Sequence, residues 1–578
     1  MIRRRTLPEA LELAACGKAG FMFREAQGGD RFRSYRAVLG EALRVAGGLR
    51  ERGLGLGARV VIVVPEPEEF LSSFLGASVG GLIPVPAYPP LDRADLGAYL
   101  EHLGRVVEAA RASAILTTAP IRRLLGAVAG RAQRPLAAID FGGLDGPPLR
   151  DPARLRLEDL AFIQFTSGST SRPKGVVLTH ENLAANVGAM GASLGAGRDD
   201  VGVSWLPLFH DMGLIGMALG SIYLEMTTTI LSPRRFLQRP AEWLRAISDH
   251  GGTISFAPNF AYGFCVRRVR DIEIAALNLS RWRIAGCGAE PIQEATLLDF
   301  ARRFAPAGFR KEALLPCYGM AEHTLAVSFP AAGRGLNADT VLASELRAEG
   351  RAVPCAPEDP GAARVVSCGR PFPGHAIQIV DEGGAPLPER TVGEISLSGP
   401  SVMWGYEGPA ELSADALRGG WLRTGDLGYL SHGELFVCGR QKDVIVVNGK
   451  KYHPQDIEWT VGEVPGVRRG NVVAFGAGAF AGRERVVVVA ESKGGAAPDE
   501  LGRRVRRRVD EVVGLRVDEV VIAPPGTLPK TSSGKLQRAR ARARWEEGTL
   551  LAPRRRSGLL RHLVASQLGY WRAQLFGR

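Results

Sequence analysis

Residues Phe165 to Gly175 read FTSGSTSRPKG, a loop of Gly, Ser and Thr closed by Arg172, Pro173 and Lys174 and entered from the apolar run Leu160 to Phe165. Such a loop suits a phosphate. Small residues let backbone N–H groups turn toward one anion, hydroxyls add donors, and a lysine supplies a point charge. A polar turn between two strands uses the same residue types. It is not a P-loop, because Gly168 and Gly175 are seven apart and Lys174 precedes the second. Three other stretches could do chemistry. His210 and Asp211 stand at the start of a Gly-interrupted, almost wholly apolar segment that fits a lipid-lined pocket or a core, and the pair itself could be a helix cap and its neighbour. GCGAEP (Gly286 to Pro291) and YGMAE (Tyr318 to Glu322) are compact turns. One aromatic beside one carboxylate could hold a planar base and a metal, or be a core tyrosine next to a solvated glutamate.

The elements that must position these residues alternate. Tyr35 to Gly53 has apolar residues at helical spacing and ends in glycine. ARVVIVVPEP reads as a buried strand, EEFLSSFLGASVGGLIPVPAYPP as a helix and a second strand, and LGRVVEAARAS followed by AILTTAP repeats the pattern. Strands alternating with helices predict an α/β fold with a largely parallel sheet covered on both faces, with ligands beyond the strand carboxyl ends, where the phosphate loop is expected. From about Phe329 to Cys368 the rhythm is lost in an Ala-, Gly- and Pro-rich stretch too long for an ordinary connection. Short β-like segments follow, and near Arg440 to Lys442 a smaller α+β unit begins.

At 578 residues the chain exceeds one hydrophobic core, so at least two domains are expected. The formal net charge of +13 comes largely from arginine, near the N-terminus and after about residue 500. No aromatic-basic interleaving of the kind that stacks bases accompanies it, so no nucleic-acid partner is expected. The seven cysteines form no CxxC pair, which argues against a zinc site and a disulfide framework and fits a reducing cytoplasm. Pro8, Glu9 and Glu12 interrupt any signal-peptide core, and no apolar run is long enough for a transmembrane segment. Residues 549–578 form a basic amphipathic tail that could touch a membrane peripherally or pack on the protein.

Five motifs in order, FTSGSTSRPKG, YGMAE, RTGD, GRQKD and LPKTSSGK, resemble the adenylate-forming superfamily of acyl-CoA synthetases, adenylation domains and luciferases over roughly residues 30 to 545. SWLPLFHDMGLIG, YGMAEHTLAVSF, VSCGRPFPG and KKYHPQDIE are similar to the fatty acyl-AMP ligase branch, and the stretch at 329–368 looks like the insertion of those ligases. The resemblance implies a large N-terminal adenylation domain (1–440) with mixed, largely parallel sheets, a small mobile α+β C-terminal domain (441–548), and ATP-dependent conversion of a fatty acid to acyl-AMP and pyrophosphate.

By the same resemblance Thr166, Ser167, Gly168, Ser169, Thr170 and Lys174 would hold the β- and γ-phosphates, and Glu322 would coordinate Mg²⁺. Gly288, Ala289 and Tyr318 with Gly319 would line the adenine, Glu290 and Pro291 shaping that turn. Asp426 and Arg440 would serve the ribose. His210 would gate the acyl carboxylate, and Lys535 would reach both the carboxylate and the bridging oxygen. Lys442 lies at the hinge, where many family members place an aspartate, so Lys442 and Asp443 both stand as its pivot. The acyl acceptor implied is the phosphopantetheine thiol of an acyl carrier protein, expected on a separate chain because no carrier-like segment follows residue 545, and the Arg-rich small domain could dock an acidic carrier. The alternatives are a fatty acyl-CoA ligase and a non-catalytic nucleotide-binding protein of the same fold.

Overall fold

The computed structural model describes residues 4–25, 29–90, 96–130, 136–166, 173–480, 483–495, 497–531 and 534–552. Two parallel sheets answer the alternating pattern. The larger has seven strands in the spatial order Leu314–Pro316, Ile284–Cys287, Ile254–Ala257, Val201–Ser204, Thr227–Ile230, Gly20–Arg24 and Asp30–Ser34, parallel throughout except for the last pair. The second has four parallel strands, ordered Ile83–Pro86, Arg59–Val63, Ala114–Thr117 and Ala137–Asp140. Ile83–Pro86, Ala114–Thr117 and Ile284–Cys287 are buried at every position, as a sheet covered on both faces requires. Gly286 is dictated by packing: a Cβ there would stand 2.0 Å from the Phe256 ring. The helix Tyr35–Glu51 starts at Ser34, whose hydroxyl accepts from Ala37 N.

The strand that leads into the phosphate loop is one of the antiparallel exceptions to a largely parallel arrangement. Leu160–Thr166 pairs antiparallel with Lys174–Thr179, and Gly405–Glu407 adds a third antiparallel strand. Seven residues join the two strands, enough for a hairpin, whereas a parallel crossover takes a dozen or more. The stretch from Phe329 to Cys368 also holds more regular structure than its composition suggests. Ala338–Leu342 and Ala362–Val366 form an antiparallel pair, with the helix Ala343–Ala348 between them.

The C-terminal part of the chain is built on the antiparallel strands Val467–Phe480 and Arg483–Ser492, with Glu519–Ala523 parallel to the second. The helix Pro498–Val513 buries Leu501, Val505, Val509 and Val513, a stripe at every fourth residue, and leaves Arg503, Arg506 and Arg507 exposed. Part of the net positive charge is therefore the solvated face of this helix. No helix among the described residues is long and apolar enough to cross a membrane. The basic tail expected at 549–578 lies outside the described residues from 553 onward.

Candidate functional site

Asp426 and Arg440 are directly opposed in the antiparallel pair Trp421–Ser431 and Glu434–Arg440, so their side chains share a face. Arg440 Nε lies 3.0 Å from Asp426 Oδ1, and the Tyr318 hydroxyl donates to Oδ2 at 2.7 Å. Burial pushes the Asp426 carboxyl up, and the Arg440 charge and Tyr318 hydrogen bond oppose it. A carboxylate has about four lone-pair sites, so with two engaged it can still accept from two hydroxyls. Tyr318 is positioned by the edge strand Leu314–Pro316 that runs into it.

Thr166 and Lys174 are also paired across their hairpin. The Lys174 ammonium sits 4.9 Å from the centroid of the Tyr406 ring, and the Tyr406 hydroxyl donates to Glu322 Oε1 at 2.8 Å. Tyr406 thus links the cation of the phosphate loop to the acid of the YGMAE turn. That turn is pinned from the 401–403 segment: Met403 N donates to the Glu322 carbonyl at 2.9 Å, and Thr324, at a φ of +64°, donates its hydroxyl to Ser401 O. Among the described residues no three His, Cys, Asp or Glu side chains converge. One carboxylate beside a phosphate loop fits a Mg²⁺ that takes its remaining oxygens from phosphate and water. Ser167, Gly168, Ser169 and Thr170 lie outside the described residues.

The GCGAEP turn faces the same cavity. Gly288 cannot carry a side chain, since a Cβ would stand 2.6 Å from Cys317 Sγ, and Ala289 is held at a φ of +66° with its methyl exposed. Glu290 accepts from Phe260 N at 2.5 Å, and Gln293 N donates to Asn259 Oδ1, so the turn is tied to the start of the helix Asn259–Arg268. Burial raises the Glu290 carboxyl. Pro291 is exposed and Gly319 is half-buried at the cavity wall.

His210 Nδ1 lies 2.5 Å from Asp211 Oδ1, and Asp211 also accepts from Met212 N at 2.7 Å, capping the π-helical segment Met212–Leu219. Asp211 thus caps that segment and also holds His210. Lys535, from the C-terminal domain, meets His210, Met212 and Pro258 at a small void. Its backbone is locked into a turn by Thr531, whose hydroxyl accepts from Lys535 N at 3.0 Å. Burial lowers the Lys535 ammonium, and Asp211 and Glu290 oppose that. Burial would raise Asp211, but the charges of His210 and Lys535 override it and hold the carboxyl below its ordinary range.

These groups share one cavity of about 2380 Å³, well beyond the roughly 300–1,000 Å³ of a single small-ligand pocket. Val187, Met190, Met217, Leu224 and Phe256 supply an apolar part of its lining, and Gly216 is the one residue of Met212–Leu219 that is not fully buried. Lys442 stands exposed at the cavity edge, its ammonium lowered by partial desolvation and by Arg440. Asp443 is committed elsewhere: Arg538 Nη1 reaches it at 2.6 Å while also holding Glu458 at 2.9 Å. Arg347, on the helix Ala343–Ala348, donates to Val513 O at 3.1 Å and lies 5.7 Å from the Tyr452 ring centroid, both in the C-terminal domain. Sequence reasoning did not single out Tyr406, Arg538 or Arg347, and it took in Thr531 only as part of LPKTSSGK.

The family described as AMP-binding enzyme matches residues 15–407, and one described as Disco-interacting protein 2-like, AMP domain, matches 442–554. The chain is 35% identical to a putative acyl-CoA synthetase of Caulobacter vibrioides, over 94% of this chain and 96% of that one. It is 36% identical to JamA of Moorena producens, a medium-chain-fatty-acid–[acyl-carrier-protein] ligase, over 89% and 90%. A solved structure from a study of the fatty acyl-adenylate ligases of E. coli and L. pneumophila superimposes with a TM-score of 0.89 at 34% identity, covering 94% of this chain and 98% of the other.

Proposed function

The chain belongs to the AMP-binding enzyme family, and on that premise we propose that it activates a fatty acid with ATP to acyl-AMP and pyrophosphate, then passes the acyl group to the phosphopantetheine thiol of a separate acyl carrier protein. The observation that carries this reading is the meeting of Lys535 with His210 and Asp211 in the cavity that also holds Lys174, Glu322 and Asp426.

In the first step a carboxylate oxygen attacks the α-phosphorus and the α–β bridging oxygen leaves with pyrophosphate. Two anions must come within bonding distance, and at about 4 Å each like-charged pair costs roughly 4 kcal/mol at an effective dielectric of about 20. Fixed cations offset that repulsion. Lys535 neutralises the carboxylate and the bridging oxygen. Lys174, Thr166 and the loop that follows hold the β- and γ-phosphates, and Glu322 would hold Mg²⁺, which supplies charge neutralisation on the phosphate oxygens when bound. Asp426, kept in register by Tyr318 and Arg440, accepts from the ribose hydroxyls. Gly288, Ala289 and Tyr318 line the adenine, His210 stands by the acyl carboxylate, and the acyl chain lies along the apolar lining of the cavity. In the second step the thiolate attacks the acyl carbon and AMP leaves. The division into an N-terminal and a C-terminal domain near Arg440 is part of the proposal, as is the turn of the small domain between the steps.

Purified protein with ATP, Mg²⁺ and a fatty acid accumulates acyl-adenylate and makes little acyl-CoA; abundant acyl-CoA would sink the carrier-loading half. The likeness to a putative acyl-CoA synthetase is the specific reason to keep the CoA-ligase reading as second. Against it stands Arg347, which ties the segment between Phe329 and Cys368 to the C-terminal domain.

A further inference from the structure

At one mouth the cavity opens between the helix Asn259–Arg268 and the C-terminal domain, and cations reach it from both sides. Arg267 and Arg268 come from the last turn of that helix, Arg469 from the strand Val467–Phe480, and Lys530 from the turn that precedes Lys535. Seven residues separate Arg267 from Phe260, whose backbone holds Glu290, so the mouth stands about 10 Å along the helix from that part of the cavity. Among the described residues, no carboxylate comes within ion-pair distance of Arg267, Arg268, Arg469 or Lys530. The acids nearest Lys530 are already engaged: Glu491 by Arg468 at 2.5 Å and by Leu528 N, Glu290 by Phe260 N. The like charges act on one another. Burial lowers Arg267, and Arg469 and Arg268 lower it further; burial lowers Lys530, with Arg468 and Arg267 adding to the effect and Glu491 and Glu290 opposing it.

Cations of one sign facing each other across an interface push it apart unless a multivalent anion lies between them. Arginine forks match the oxygens of a phosphate in both number and geometry. The cluster lines a concavity, which admits a compact anion and not the convex acidic face of a folded protein. We propose that this mouth is a phosphate-binding site, and that filling it holds the C-terminal domain against the helix Asn259–Arg268 in the arrangement that brings Lys535 to His210 and Asp211. The site presupposes the domain division proposed above and nothing about the acid that is activated.

The test uses the full chain, without ATP or fatty acid, in inorganic phosphate and in sodium chloride of equal ionic strength, with phosphate affinity from calorimetry and tryptic cleavage after Arg440 and Lys442 as the readout of domain arrangement. Phosphate slows cleavage several-fold and chloride does not. The Arg267→Gln/Arg469→Gln double variant binds phosphate at least tenfold more weakly and loses the protection. Arg267→Glu replaces repulsion by attraction, so cleavage is slow without phosphate and phosphate adds nothing. Thermal midpoints confirm that the variants are folded. Repeating the titration with pyrophosphate and with 4′-phosphopantetheine separates a released product from a carrier's prosthetic group: a tenfold loss in the double variant for either one supports the site and names its source. Equal protection by chloride, or unchanged affinity of the double variant for all three probes, overturns it.

Discussion

Asp426 and Lys535 face the same cavity and are held in opposite ways. Asp426 is fixed by two side chains on neighbouring β elements, Tyr318 at 2.7 Å and Arg440 at 3.0 Å, and is almost wholly buried. Lys535 is placed by a backbone turn around Thr531, and Arg538, in the same stretch, holds Asp443 and Glu458. One half of the site is therefore built into the sheets, while the other arrives with a domain. On the proposed mechanism, the half that recognises substrate can be preorganised at no cost to turnover, whereas a cation that neutralises the reacting atoms has to be able to leave before an acceptor enters.

Removing the delivered half is expected to do most harm. Lys535→Ala lowers kcat for adenylate formation by about 10²–10³-fold, the scale of a lost transition-state donor, with the thermal midpoint unmoved. ATP–pyrophosphate exchange measures it, and retention of more than a tenth of the activity would show that Lys535 is a bystander. Because burial lowers its ammonium, the alkaline limb of kcat falls below the range of an ordinary lysine.

Acidification separates the two regions next. His180 and His323 in the large region, and His453 in the small one, are lowered to about 4 by burial. The unfolded chain binds protons that these buried rings refuse, so their stabilisation is complete above pH 6.5 and is lost as pH falls toward 4. Each is worth on the order of 3 kcal/mol at the acid end. Asp456, raised to about 6 by burial, works the other way: its folded carboxyl takes a proton before the unfolded one does, so between pH 6 and 4 it gives stability back to the small region. Melts from pH 7 to 4 show the large region losing stability first, and a uniform fall would refute that ordering.

Weakening the fixed half acts on binding. Asp426→Asn raises KM for ATP by about 10- to 100-fold and Tyr318→Phe by about 10-fold, with kcat moved less in both. If kcat falls as far as KM rises, the pair is doing chemistry and the contrast with Lys535 dissolves. The smallest effect belongs to Arg347→Ala. It removes an arginine–tyrosine contact worth about 0.5–1 kcal/mol, leaves adenylation within about twofold, and raises the yield of acyl-CoA in the coupled assay.

Those contrasts also mark where the sequence was readable. Ile83–Pro86 and Ala114–Thr117 are apolar runs buried on both faces, so period and composition alone pointed to a parallel sheet. Glu322 and Asp426 could be picked out through YGMAE and RTGD, because each of those motifs is one contiguous stretch. Tyr406 could not. Its place comes from pairing with Val176 across 230 residues of chain, and a lone Gly-Tyr-Glu carries no mark of that register. The setting of the strand at the phosphate loop is left open for a related reason, since an apolar run reads alike in a parallel and an antiparallel setting. Arg538 and Arg347 look like any other members of an arginine-rich surface until their partners are known.

Arg440 is fastened to Asp426 on one side of the proposed domain boundary, and Asp443 to Arg538 on the other. Between the two fastenings lie Gln441 and Lys442, at the start of a single 3₁₀ turn. A linker that short has no slack. Any rotation of the small domain must be taken up as torsion about four or so backbone bonds, so the motion would behave like a keyed axle, stepping between a few allowed angles, and not like a tethered weight.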